Sequence, residues 1–389
     1  MRHLKKICCS LIVIFLFTTL LTGCVNKGNS KDDKKLDTSW YKENKNEFIL
    51  KTSGQLYGFA KLSQEKSFEG KTVKLGADIV LNDVDESVLQ QWKTQQALAE
   101  RQWQPIGNES VPFAGTFDGQ GHTIKGLYLK TDVTGAGLFG WVASSAIVQD
   151  FKLIDSCIIS SNGKVGIIGA GLLSKIENVY TNAYIEAHGT FVGGILGWYK
   201  GAYEVYDDAN KDNFSKGAME INNCWFDGRI VCEGKYYAVG GIVGGQDARS
   251  KVEIYNCLFS GIIQVDNATT YSRVGGIFGW LNWSAYYRIQ NCLSVGTIKS
   301  DKRDTVGALI GDLGAIGFKM SYCYSLDNNP IGKNQTGYVY AATCVQEKEN
   351  FAKLDIERFF PKLEGETECA WVLSKNGTPI LKKFVNMIK

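Results

Sequence analysis

Histidine is scarce: there are three in 389 residues, and only His122 and His188 lie beyond the first few positions. Neither belongs to a His-Glu-x-x-His arrangement, which removes the helix-borne zinc hydrolases. A Ser-His-Asp nucleophilic centre would have to use one of these two, and no Gly-x-Ser-x-Gly elbow presents a serine. Phosphate-binding loops are missing too, because Gly119-Gln120-Gly121 reads as a turn between strands rather than a strand-to-helix loop. Sugar-cleaving enzymes need clustered carboxylates, whereas Asp118, Asp150, Asp155 and Asp227 look scattered, without repeat-matched partners. No catalytic, cofactor-binding or metal-binding residue is therefore nominated, and the chain is expected not to be an enzyme.

An excess of one charge is also lacking. The formal net charge is +3, and setting aside Arg2, Lys5 and Lys6 leaves 40 basic residues against 40 acidic ones. A neutral body has no field to track phosphates, which excludes nucleic acid as a partner.

Long apolar runs are absent but for Leu11–Leu21. At 11 residues it is too short to cross a bilayer, which needs about 20. Behind Arg2, Lys5 and Lys6 it fits the core of a signal peptide. Leu21-Thr22-Gly23-Cys24 then resembles the lipobox of bacterial lipoproteins, in which the cysteine thiol takes a diacylglyceryl group and cleavage occurs just before it. Two acyl chains would anchor the protein stably. The expectation is an extracytoplasmic protein held by Cys24 to membrane lipid, with 1–23 as signal peptide and 24–45 as a solvated, lipidated tether.

What the chain does have is glycine, 43 residues of it, in a repeated pattern. Short apolar runs bracketed by Gly occur at Gly137–Gly140, Gly166–Gly169, Gly194–Gly197, Gly241–Gly244, Gly276–Gly279 and Gly307–Gly311, the closing glycines 29, 28, 47, 35 and 32 residues apart. The long interval holds an insertion, roughly Tyr199–Glu220. A second signature follows each run after the first: Ile176-Glu177-Asn178-Val179, Ile221-Asn222-Asn223-Cys224, Ile254-Tyr255-Asn256-Cys257, Ile289-Gln290-Asn291-Cys292 and a worn Met320-Ser321-Tyr322-Cys323. Self-similarity at this period marks a solenoid. The segments are β-branched, Gly-punctuated and free of a 3.6-residue stripe, so they read as strands. The predicted fold is all-β: a right-handed parallel β-helix with short capping helices at its ends. A propeller is the alternative, although its blades need about 40–50 residues.

The Val-Gly-Gly runs at Val192–Gly197, Val239–Gly244 and Val274–Gly279, with the Asn-Cys signatures, resemble the GLUG motif of bacterial surface proteins. Trp103–Gly107, Phe113–Ile124 and Trp371–Leu381 are similar to flanking parts of that family. The resemblance spans about residues 50–385 and implies a β-helix on a cell surface, with no assigned ligand. The motif also accompanies immunoglobulin A1 metallopeptidases, beside a separate protease domain. On this reading 46–134 forms an N-terminal cap and first rungs, 135–330 the repeats and 331–389 a C-terminal cap. Ser53–Leu62 reads as a capping helix with Ser53 as a possible N-cap, Asp85–Gln102 as a helical excursion, and Phe351–Leu363 as a further helix.

Cys224, Cys257, Cys292 and Cys323 share one repeat position and are expected to stack as inward free thiols. The preceding asparagines suit a corner in left-handed geometry. Asp208–Asn213 resembles the start of a calcium loop, but Asn213 stands where glycine is needed, so a solvated loop is the better reading. Trp141, Trp198 and Trp280 follow alternate Gly-bracketed runs, which places them about 10 Å apart. They are either corner packing or an aromatic row that would stack sugar rings or dock a protein. The sequence thus points to a non-catalytic binding, adhesion or structural lipoprotein. A glycan binder using the tryptophan row, or a β-helix enzyme with an unrecognised carboxylate pair, are the rivals.

Overall fold

The computed structural model describes residues 35–387 except 173–174, 201–218, 234–237, 247–250, 270, 283–285, 303–305, 315–316, 327–330, 335–342 and 345–354. Cys24, the signal segment and the Asp208–Asn213 loop fall outside the described residues.

The body is a parallel β-helix. Each turn of chain lays down short strands that join parallel ladders. The first ladder starts at Glu47–Leu50 and runs through Thr72–Leu75, Thr116–Asp118, Ile147–Ile154 and Lys175–Thr181. It continues as paired short strands, such as Met219–Asn222 with Trp225–Phe226, down to Thr343–Cys344. The second ladder runs from Tyr128–Thr131 through Cys157–Ser160 and Tyr184–Ala187 to Thr297–Ser300. The third runs from Lys164–Val165 to Val306–Gly307 and the fourth from Phe139–Val142 to Ile331–Asn334. One sequence repeat is one rung. Ile185 stands between Ile158 and Ile230, and Leu196 between Ile168 and Val243.

Strand periodicity explains the core. Alternate residues of each strand point inward, and like residues stack on like. Val148, Ile176, Ile221, Ile254 and Ile289 form one such column, all buried. Each fully buried aliphatic side chain of this kind contributes about 1.5–3 kcal/mol.

The glycines are steric necessities at the bend between the third and fourth ladders. A Cβ on Gly193 would lie 2.0 Å from the Leu196 carbonyl oxygen, within the same bend. A Cβ on Gly197 would lie 2.5 Å from the carbonyl oxygen of Gly169, one rung earlier. Only glycine lets the bend close and lets successive bends stack backbone to backbone.

Helix α1 (Ser53–Leu62) closes the N-terminal end, burying Leu56, Tyr57, Phe59 and Ala60. Its cap is Thr52 rather than Ser53: the Thr52 hydroxyl accepts from the Gln55 amide at 3.2 Å, and Ser53 is already helical. The Phe59 ring stacks on Phe117 of an early rung, 6.2 Å between centroids. Helix α2 is shorter than Asp85–Gln102. It covers Glu86–Lys93, capped by Asp85, and ends near Gln95, whose φ is +55°. It lies against the outside of the second ladder, with Leu89 and Trp92 over Tyr128, Cys157 and Tyr184.

The C-terminal segment departs from the expected end cap. Helix α3 is a single turn, Ile356–Phe359, and Trp371–Leu373 pairs antiparallel with Pro379–Leu381. Phe360, Trp371, Ile380, Leu381 and Phe384 pack against Trp225, Leu258, Leu293 and Tyr324. Those four residues belong to successive rungs of the first ladder. The segment is therefore a strap running along the side of the solenoid. It reaches back to the ring of Tyr180 and to Asp150, whose carboxylate accepts from the Lys383 ammonium at 2.8 Å.

Candidate functional site

The three tryptophans share one column of the fourth ladder, in the order Trp141, Ala170, Trp198, Gly245, Trp280, Asp312. They do not form an exposed row about 10 Å apart. Trp141 and Trp198 lean over the small Ala170 until their ring centroids are 5.8 Å apart, edge to face, and each is only 6% exposed. The neighbouring column of the third ladder supplies the complementary shapes. Lys164 lies over both rings, at 4.7 and 3.9 Å, and Phe191 fills the space above Gly245 and stacks on Trp280 at 6.1 Å. Arg273 covers the Trp280 ring at 4.8 Å and donates to the fully buried Asp312 at 2.6 Å. Large side chains thus sit beside small ones throughout. This is corner packing, with the cations using the ring faces that a sugar would need.

The thiols of Cys224, Cys257, Cys292 and Cys323 are free, fully buried and stacked inward. Each donates to the carbonyl oxygen two residues earlier, at 3.1–3.3 Å. Burial pushes the pKa of Cys257, Cys292 and Cys323 well above the ordinary thiol value, which makes them poor nucleophiles. At the corner before them, Asp150, Asn178, Asn223, Asn256, Asn291 and Tyr322 all take positive φ, between 49° and 57°. Their side chains link rungs: Asn178 donates to Asp150 at 3.0 Å, Asn223 to Asn178 at 2.6 Å and Asn291 to Asn256 at 3.3 Å. Asp150 is therefore repeat-matched after all. It stands at an asparagine position and acts there as an acceptor and as the strap's ion-pair partner.

The histidines are apart. His122 pairs with Asp78 at 3.1 Å, and His188 faces Glu186 at 3.8 Å. Asp118 accepts from the Gln120 amide at 2.9 Å within the expected tight turn, where Gln120 has φ +52°. Asp155 accepts a hydrogen bond at 3.3 Å from the side-chain amide of Asn182, on the next rung. Asp227 is raised by burial and lies beneath Ser260. These carboxylates do not converge.

Sequence reading missed one row of mixed-sign charge, with two carboxylates between two cations. Lys175, Glu220, Glu253 and Arg288 occupy one outward position in successive rungs. Each directly precedes the Ile of the second signature, so the repeat alignment contained the signal. Glu220 is raised by burial and by Glu177 and Glu253, with Lys175 opposing. Lys175 bridges Glu177 at 2.7 Å and Glu220 at 3.8 Å, and Arg288 pairs with Glu253 at 3.6 Å. Cross-rung charge pairing of this sort stabilises a ladder. No group of three or more His, Cys, Asp or Glu side chains is placed to hold a metal among the described residues.

Two clefts open at the N-terminal half. One, of about 560 Å3, lies between Gln104, Asn108, Val133, Thr134, Trp141 and Asn162. The other, of about 430 Å3, lies between Gln95, Lys130, Asp132, Ser161, Glu186 and His188. They flank the corner formed by residues 131–135.

Fold and surface together define a class, the parallel β-helix solenoids with closed inner columns. A solved Bacteroides ovatus protein, whose assignment as an immunoglobulin A1 protease is provisional, superposes with a TM-score of 0.60. The match covers 86% of this chain and 92% of that one at 20% identity, a likeness of fold. No family model matches the sequence. Halomucin of Haloquadratum walsbyi is 26% identical over 174 residues, which is 40% of this chain and 2% of that protein. A provisionally named Gly-rich membrane protein of Evansella cellulosilytica is 31% identical over 85 residues, 22% of this chain and 10% of that one. The chain thus spans only a small fraction of the curated relatives it matches. Among the described residues, no helix is long and apolar enough to cross a membrane.

Proposed function

We propose that this protein is a GLUG-type surface lipoprotein, held to a bacterial membrane by acylated Cys24. There the β-helix serves as a rigid, non-catalytic scaffold for binding or adhesion. The observation that carries the anchoring is Leu21-Thr22-Gly23-Cys24 directly behind an 11-residue apolar core and a basic start. The non-catalytic reading draws support from the titratable groups. The largest shifts belong to cysteines and tyrosines, and their main cause is burial in packed columns. Active sites instead gather perturbed groups in a cleft. The kinship with halomucin and a Gly-rich membrane protein fits an extracytoplasmic place.

Radioactive palmitate fed to an expressing bacterium tests the anchor. The wild-type chain is expected to take up label and to partition into detergent. Cys24→Ala is expected to lose both and to accumulate with its signal segment uncut. Equal labelling of the two would sink the anchor.

A further inference from the structure

We propose that the two clefts beside the corner at residues 131–135 form one groove for a neutral oligosaccharide. The inference deepens the binding-scaffold reading above and rests on it. Location comes first. Among the described residues these clefts arise where two segments outside the repeats lean on the rungs. One segment follows α2 and brings Gln95 to the second ladder, where its amide donates to Glu186 at 2.9 Å. The other, residues 104–111, overhangs the corner near Trp141.

The overhanging wall is fixed in advance. The Gln64 amide donates to the carbonyls of Pro105 at 2.8 Å and Ala60 at 3.0 Å, and Ser63 accepts from the Gly107 amide at 3.0 Å. Asn108 accepts from the amides of Ser110 and Val111, both at 2.9 Å. A wall that is already rigid lowers the ordering cost of binding.

The lining chemistry then selects the ligand. Gln104 and Asn162 are exposed, and no hydrogen bond to either side-chain amide is recorded among the described residues. Each amide can donate and accept, as paired sugar hydroxyls require. Thr134 and Ser161 add hydroxyls. In the first cleft, next in the chain to Asp132 of the second, stands Val133, an aliphatic side chain 54% exposed and placed to meet the C–H face of a sugar ring. Lys130 donates to Gln95 at 2.7 Å, and Glu186 accepts from Gln95 and from the Tyr184 hydroxyl. The exposed carboxylates of Glu109 and Asp132 add negative charge at the rims and disfavour an anionic ligand. A protein partner would need deep apolar or arginine anchor sites, which these clefts do not offer. Each volume lies within the ordinary range for ligand pockets, about 300–1,000 Å3.

The test is calorimetric titration of the full-length protein in lauryldimethylamine oxide, a detergent without sugar. The probes are hexamers of N-acetylglucosamine, β-1,4-glucose and α-1,4-glucose, with hexagalacturonate as the anionic counterpart. At least one neutral hexamer is expected to bind. Asn162→Trp, which fills the corner, is expected to weaken it by about tenfold or more. Gln104→Ala is expected to weaken it by up to about tenfold, the loss of one hydrogen-bonding group. Lys299→Ala, on the same ladder near the other end, is expected to leave it unchanged, and matching thermal melts show that the variants are folded. Silence with every neutral hexamer, binding of hexagalacturonate alone, or binding indifferent to both groove variants would overturn the groove. Palmitate labelling of Cys24 reports on the anchor separately, so the two readings can fail independently.

Discussion

Two outer faces of this solenoid are apolar, and they are hidden from water in different ways. Along the first ladder, Trp225, Leu258, Leu293 and Tyr324 are covered by the chain's own last residues. Along the corner of the third and fourth ladders, Trp141 and Trp198 cover themselves, with help from Ala170, Phe191 and Lys164. The first solution needs a remote segment. The second needs only a pattern of large beside small, written into consecutive rungs. A strap couples distant rungs, whereas a self-packed column couples neighbours. Nearest-neighbour coupling is the usual energetics of repeat proteins, so the strap is the departure.

The largest expected effect comes from breaking the strap. Phe384 meets both Tyr180 and Trp225, so Phe384→Ala should cost about 3–5 kcal/mol. Urea unfolding measures the loss, and increased binding of an apolar dye should report the uncovered ladder. An unchanged midpoint would mean that the strap is incidental and that the two faces do not differ as argued. A smaller effect is expected where the corner is sharpened against itself. Ala170→Leu puts bulk where the rings of Trp141 and Trp198 converge, and should destabilise by about 1–3 kcal/mol through overpacking. Thermal melts check it, and a neutral outcome would show room between the rings that the geometry denies.

The contrast between what was legible and what was not follows the same division. Rung period, parallel strands and the asparagine corner were readable because each is a local demand. Gly193 and Gly197 have no room for a Cβ, and Asn223 and Asn256 sit at positive φ. The inward thiols followed from shared register. The strap was not readable, since Trp371 and Phe384 announce that they are buried but not against what. A clue was nevertheless present. Cys224-Trp225, Cys257-Leu258 and Cys292-Leu293 put apolar residues on both faces of one ladder, which alternation forbids unless the outside is covered too. For the tryptophans, counting rungs put them on alternate rungs correctly but left corner packing and a binding row both open, because it gives backbone spacing and says nothing of rings tilting over an alanine. The N-cap error at Ser53 was one residue, the usual uncertainty at a helix end.

The smallest expected effect is alkaline. Burial pushes Cys157 and Tyr57 up to about 12 each, and Tyr324 to about 12 with Cys323 adding to it. Unfolded, these groups titrate near 8.5 and 10. Their folded pKa values are raised, so the stability they contribute is fully present below about pH 8.5 and is lost as pH climbs toward 12. Urea midpoints measured from pH 8 to 11.5 should fall over that range. Midpoints that stay flat across it would show that the covered faces already admit water.

The ion pair between Lys383 and Asp150 joins positions 233 apart in the chain. Synthesis runs from the N-terminus, so Asp150 and Tyr180 emerge long before their partners exist. Rungs can pile up as they appear, yet one flank stays bare until the segment from Ile356 to Phe384 arrives. For the export that the proposed anchor requires, such a late latch keeps that flank from closing before the segment has crossed.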